Sequence, residues 1–168
     1  MSITMYSASV PVFVRLLGNL SKWIDKAEAH AQAKKFDPSV YLSSRLAPDM
    51  LHFTRQVQIA CDGPKFCMAR LAGIEAPKHE DNEASLADLK GRIAKTIAFI
   101  QSVSEAQIVG SEARDINVPR RDGVLVMKGE DYLKHYAMPN FYFHVTTAYA
   151  LLRHNGVELG KADFLAGI

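Results

Sequence analysis

Apolar residues recur at steps of three and four along four long stretches of the chain, a period that an α-helix satisfies and a strand does not. In the first stretch, Thr4 to Lys34, a stripe of Ile3, Tyr6, Val10, Phe13 and Leu17 is continued by Leu20, Ile24 and Ala27. Thr4 or Ser2 is suited to cap it, and Pro11 predicts either a kink or a late start, because proline supplies no backbone N–H. The second stretch, Met50 to Leu71, places Leu51, Val57, Ala60, Met68 and Leu71 on its apolar side and has Gly73 as a C-cap. Gly63-Pro64 falls inside it, so a break between two helices and a single bent helix are both allowed. The third opens at Ser85, which with Asp88 resembles a capping box, and runs to about Ser102 with Leu86, Leu89, Ile93, Ile97 and Ile100 inward. The fourth and longest runs from Glu130 to Asn155 and ends at Gly156; at 1.5 Å per residue it spans roughly 39 Å.

The connections are read from their punctuation. Asp37-Pro38 opens a short helical turn through Leu42, Ala76 to Asn82 is a polar loop, and Ser104 to Ile108 is a second short turn. The segment Asp115 to Lys128 differs: β-branched Ile116, Val118, Val124 and Val126 flank Arg121-Asp122-Gly123, a hairpin signal. Two strands this short need helices to lie against. Arg120 and Arg121 at the turn read as solvated. The expected architecture is all-α: one domain over residues 1–168, a four-helix bundle with a small β-hairpin between the third and fourth helices.

Composition limits the partners. With 168 residues, 48% of them hydrophobic, the chain can bury its own core. Twenty basic and 18 acidic residues leave a net charge of +2, which gives no electrostatic reason to bind nucleic acid. No run of about 18 apolar residues offers a membrane span, and Met1 to Met5 carries no basic residue of a leader. Cys61 and Cys67, six apart on one helix, lie about 240° round its axis and cannot bridge. Two free thiols suit a reducing compartment, so a cytoplasmic location is expected. No HExxH, paired CxxC, P-loop or GxGxxG occurs.

The chemistry-bearing residues gather on the fourth helix. Asn140, His144, Thr147 and Leu151 fall on one face, the side shared approximately by Leu133 and Ala137. A histidine and an asparagine one turn apart on a bundle-facing stripe must be satisfied, either by each other and a neighbouring helix or by a ligand. His135 lies on the opposite side and His154 in the last turn, while His30 and His79 read as surface residues and His52 has no local partner. Tyr136, Phe141, Tyr142, Phe143 and Tyr149 supply aromatic surface to several faces, mostly for the core and otherwise for an interface.

The stretches MYSASVPVFVRLLGNL, SRLAPDM, RQVQIACD and PNFYFHVTTAYALLRHNGVELGKADFL resemble the bacterial family called domain of unknown function 1993, within the DinB/YfiT-like superfamily. The resemblance covers nearly the whole chain and implies a DinB-type bundle. It also implies a metal site of three histidines, one on the second helix and two spaced four apart on the fourth. Counting back from Leu151-Leu152-Arg153, these positions fall on His144, Asn140 and near Gln58, so one histidine of three is kept. Neutral amides are poor substitutes for imidazole at zinc or nickel, and Cys61 and Asp62, one turn from Gln58, are the anionic residues nearest in sequence. The expectation is therefore a small-molecule binding protein with a degenerate metal site. No cofactor is expected beyond weak divalent metal, and neither nucleic acid nor membrane is expected as a partner. Its pocket would be drawn from His144, Asn140, Gln58, Asp62, Cys61, Tyr6 and Tyr142, and it would pair as a homodimer. The alternative implied by the resemblance is a metal-dependent thiol transferase or isomerase, with His144 as remaining ligand or general base.

Overall fold

The computed structural model describes residues 3–166; Ser2, one of the two candidate caps, lies outside them. Thr4 closes a turn instead of capping a helix, its Oγ1 accepting from the Ser7 N–H at 3.1 Å. Helix α1 (Val10–Lys34) then starts with Pro11 in its first turn, so the proline delays the helix and does not kink it. The early members of the stripe fall outside: Ile3 is exposed and Tyr6 only half-buried. Asp37 caps a 3-10 turn (Pro38–Tyr41) by accepting from the Ser39 N–H at 2.8 Å. Helix α2 (Phe53–Ala72) is continuous through Gly63-Pro64 and ends on left-handed Gly73. It starts later than the pattern predicts, capped by His52, which leaves Leu51 before the helix and exposed.

Helix α3 (Leu86–Ser102) is capped by Ser85, whose Oγ accepts from the Asp88 N–H at 3.1 Å. Its inward residues are Leu86, Leu89, Ile93 and Ile100, with Ile97 half-buried. The short helix α4 (Glu105–Ile108) and a 3-10 turn (Ser111–Ala113) lead into strands β1 (Asp115–Arg120) and β2 (Gly123–Lys128). They pair antiparallel with Arg120 opposite Gly123, which makes Arg121-Asp122 a two-residue turn. Ile116 and Val118 are buried, whereas Val124 and Val126 face outward.

The fourth long helical stretch is one path in three pieces. Helix α5 (Gly129–Tyr132) runs into a π-helical turn (Leu133–Ala137) and then into α6 (Met138–His154). Pro139 is the cause: in a regular helix its ring would strike the His135 carbonyl, and the wider turn, closed by a bond from the Met138 N–H to the Leu133 oxygen, makes room. The path begins at a glycine for a steric reason, since a Cβ on Gly129 would lie 1.9 Å from the Ser111 carbonyl oxygen.

The long helices α1, α2, α3 and α6 pack in a closed ring in which α2 touches α3 and α6, and α1 does the same. Trp23, Phe13, Phe53 and Phe141 fill the interior, with Phe13 set edge-on to Phe141 at 5.0 Å. Helix α7 (Lys161–Leu165) closes over α1, where the Trp23 indole N–H donates to the Asp163 carbonyl. No helix among the described residues is long and apolar enough to cross a membrane.

Candidate functional site

His144 projects from α6 toward α2 and is 8% exposed. Its partner there is Gln56, whose Oε1 lies 2.7 Å from His144 Nδ1. The Gln56 amide cannot turn over, because its Nε2 donates to the Leu51 carbonyl, a group that only accepts. Gln56 Oε1 must therefore accept, and Nδ1 carries the imidazole proton. Nε2 is left with its lone pair and with no hydrogen-bond partner among the described residues. Burial, and next to it the Arg55 guanidinium, push the imidazole down to about 4, so the ring is neutral at neutral pH. Asn140, one turn earlier, is half-buried and faces Gly63 of α2: a Cβ added there would meet the Asn140 amide nitrogen at 3.4 Å.

Gln58 is engaged elsewhere. Its Oε1 accepts from Arg55 at 3.0 Å and its Nε2 donates to Glu83 at 2.8 Å. The glutamine bonded to His144 is thus Gln56, and no hydrogen bond joins His144, Asn140 and Gln58 to one another among the described residues. Residues two apart on a helix point about 200° from each other, which is why only one of the two glutamines faces α6.

Gln58 instead belongs to a buried ionic cluster between α2, α3 and the loop joining them. Arg92 of α3, 3% exposed, pairs with Glu83 at 2.8 Å, Asp62 at 2.9 Å and Asp81 at 3.0 Å. Lys65, equally buried, takes the same Asp62 oxygen at 2.8 Å. Burial pushes Glu83 up, but hydrogen bonds from Arg92 and Gln58 outweigh it and hold the carboxyl below its ordinary value. Cys61 is fully buried beside the cluster, and burial pushes its thiol up to about 12, so it is neither a thiolate nucleophile nor a ready ligand.

The tyrosines stand apart from the imidazole. Tyr6 lies in the turn before α1, and neither it nor Tyr142 bonds or stacks with His144 among the described residues. The ring that meets His144 is Phe143, edge-on at 5.2 Å. Tyr142 and Phe143, 40% and 57% exposed, border a shallow apolar groove of about 450 Å³ along α6 that reaches Leu46 and Thr147. Of the five aromatic residues on this helix, Phe141 is fully buried and Tyr136 and Tyr149 half-buried. His30 is not a plain surface residue: its Nδ1 meets the hydroxyl of buried Tyr41 at 2.6 Å.

The donor set does not fit a metal ion. Asn140 is neutral, Gln58 spends its oxygen on Arg55, and the Arg55 charge acts on His144 itself. Among the described residues no three His, Cys, Asp or Glu side chains stand close enough to share one ion.

The chain's likeness to known proteins agrees with this fold. The family model described as Domain of unknown function (DUF1993) matches residues 5–165. The crystal structure of a DinB family member protein from Shewanella denitrificans is similar at 46% sequence identity and a TM-score of 0.92, covering 98% of this chain and 93% of that one. No curated protein matches.

Proposed function

Because the chain belongs to the domain of unknown function 1993 family, we propose that it is a DinB-type four-helix bundle that binds a small molecule where the DinB resemblance implies a metal. One observation carries the reading: His144 presents an unprotonated, unpartnered Nε2 on a neutral ring whose orientation is fixed through Gln56 and Leu51. A fixed lone pair is a hydrogen-bond acceptor. Phe143 meets the imidazole edge-on, and Phe143 and Thr147 both line the apolar groove on that side of α6. The fitting ligand is a mostly apolar small molecule with one O–H or N–H donor.

Phenol and toluene, which differ in that donor, test the reading. Nitrogen-15 spectra should show His144 as the Nδ1–H tautomer, and phenol should shift its Nε2 resonance while toluene does not. An Nε2–H tautomer, or equal responses to the two probes, would overturn it. Metal analysis of untagged protein should find little zinc or nickel, and chelator should leave the melting temperature unchanged. Stoichiometric metal bound through His144 would instead favour the thiol transferase or isomerase reading. A homodimer paired across the exposed aromatic face of α6 belongs to the same proposal, supported by the exposure of Tyr142, Phe143 and Leu46. So does a cytoplasmic location, supported by the two free, buried thiols.

A further inference from the structure

A second cleft, of about 620 Å³, opens between α3 and the loop that precedes it, away from His144. Its charges are unevenly committed. Glu83 is held by Arg92 and Gln58, and Asp88 by Ser85 and the Ala84 N–H at the start of α3. Glu80 accepts from Asn82. By contrast, Lys78 and Lys95 line the cleft with no ion pair or hydrogen bond among the described residues. Two further nitrogens of its lining residues are buried without a partner among the described residues, Nδ1 of His79 and Nε of Arg92, the latter on a side chain only 2% exposed. Buried polar atoms are nearly always satisfied; the Arg92 Nε–H is a donor in every state and calls for an acceptor, and His79 Nδ1 joins it when that nitrogen carries the ring proton. Burial first, and then the charges of Lys65, Arg92 and Lys95, hold His79 below its ordinary value, against the opposing charge of Asp62.

We propose that this cleft binds a small multivalent oxyanion, a phosphate- or carboxylate-bearing molecule, clamped between Lys78 and Lys95 with His79 and Arg92 as further donors. Lys95, Arg92 and Asp88 lie at steps of three and four along α3, so one helix face presents the site. Gly91, on the same face, leaves the cleft open, and a Cβ built there meets nothing within 4 Å. A larger residue at 91 would therefore occupy the cleft without disturbing the fold, and it removes a helix-interior glycine.

Inorganic phosphate and citrate, with chloride at matched ionic strength as control, test the proposal by melting temperature and by the His79 imidazole resonances. Phosphate, citrate or both should raise the melting temperature and shift His79, while chloride does neither. A phosphate-only or citrate-only response names the group bound. Lys78→Gln combined with Lys95→Gln should weaken the response about tenfold or more. Gly91→Leu should abolish it in a protein at least as stable as the parent. Equal responses to chloride, or an undiminished phosphate and citrate response in Gly91→Leu, would overturn the site.

Discussion

Helix α2 buries polar groups on two sides, and the two sides work differently. Toward α6 it sets one neutral amide against one neutral imidazole inside an apolar wall. Toward α3 it sets Asp62 and Lys65 into a cluster with Arg92 and Glu83. A neutral pair costs little to bury once each group has a partner. Charges cost much more, and they are tolerated only while every member keeps its opposite. The neutral side therefore keeps one atom, His144 Nε2, without a partner among the described residues, whereas the ionic side ties the loop before α3 to the helices through Arg92 and Arg55.

The sharpest way to break this contrast is to remove Arg92. Arg92→Met keeps most of the side-chain volume but strands Glu83 without a cation and leaves Asp62 to Lys65. The expected loss is about 3–5 kcal/mol in urea denaturation at pH 7. A loss below that of the His144 variant would show that the cluster is not the more demanding side. His144→Ala removes the partner of Gln56 and opens a cavity, for an expected loss of about 2–4 kcal/mol. Unchanged stability with loss of the phenol response would assign the ring to ligand binding alone.

Acid separates the two sides without mutation. His144 titrates in the fold at about 4, below its ordinary value of 6.5, so its contribution is complete above 6.5 and is lost as pH falls through 4. The loss amounts to up to about 3 kcal/mol. Glu83 is also held low, and its contribution is complete above its ordinary 4.5 and lost only as pH falls through its lowered value. Between pH 6.5 and 4.5 the decline in stability should then come from the two lowered imidazoles, His144 on the neutral side and His79 beside the ionic side, and His144→Ala combined with His79→Gln should flatten it. A decline that persists in this variant points to another group. The smallest effects belong to His135→Ala and His154→Ala, exposed on other faces of the same helical path, at less than about 1 kcal/mol each in denaturant midpoints. If these match His144→Ala, the face assignment fails.

The two sides also differed in how far the sequence revealed them. The neutral side was half legible. His144, Thr147 and Leu151 are buried on one face as the helical period requires, but the period cannot say which α2 residue stands opposite; the family resemblance implied a position near Gln58, and Gln56 makes the bond. The ionic side was missed. Arg92 stands within the apolar stripe of α3, between Leu89 and Ile93, and that position was the available signal. Its partners Asp81 and Glu83 lie in and just beyond a loop whose polarity reads as solvated, and only the tertiary fold brings them inward. The four long helical stretches and the hairpin were legible because periodicity and turn residues are local properties. The start of α2 was not, since it depends on a histidine cap.

The π-helical turn acts as a phase adjustment for everything downstream of it. Leu133, Ala137, Phe141 and Val145 are all buried, at three successive steps of four. In an uninterrupted helix such steps would drift about 120° around the axis. The wider turn absorbs the excess, so both ends of the path face the same interior. The rotational setting of His144 is thus decided seven or more residues upstream, where Pro139 obliges the helix to take in one residue too many. A chain shortened by a single residue in that turn would keep every side chain of the site and aim them elsewhere.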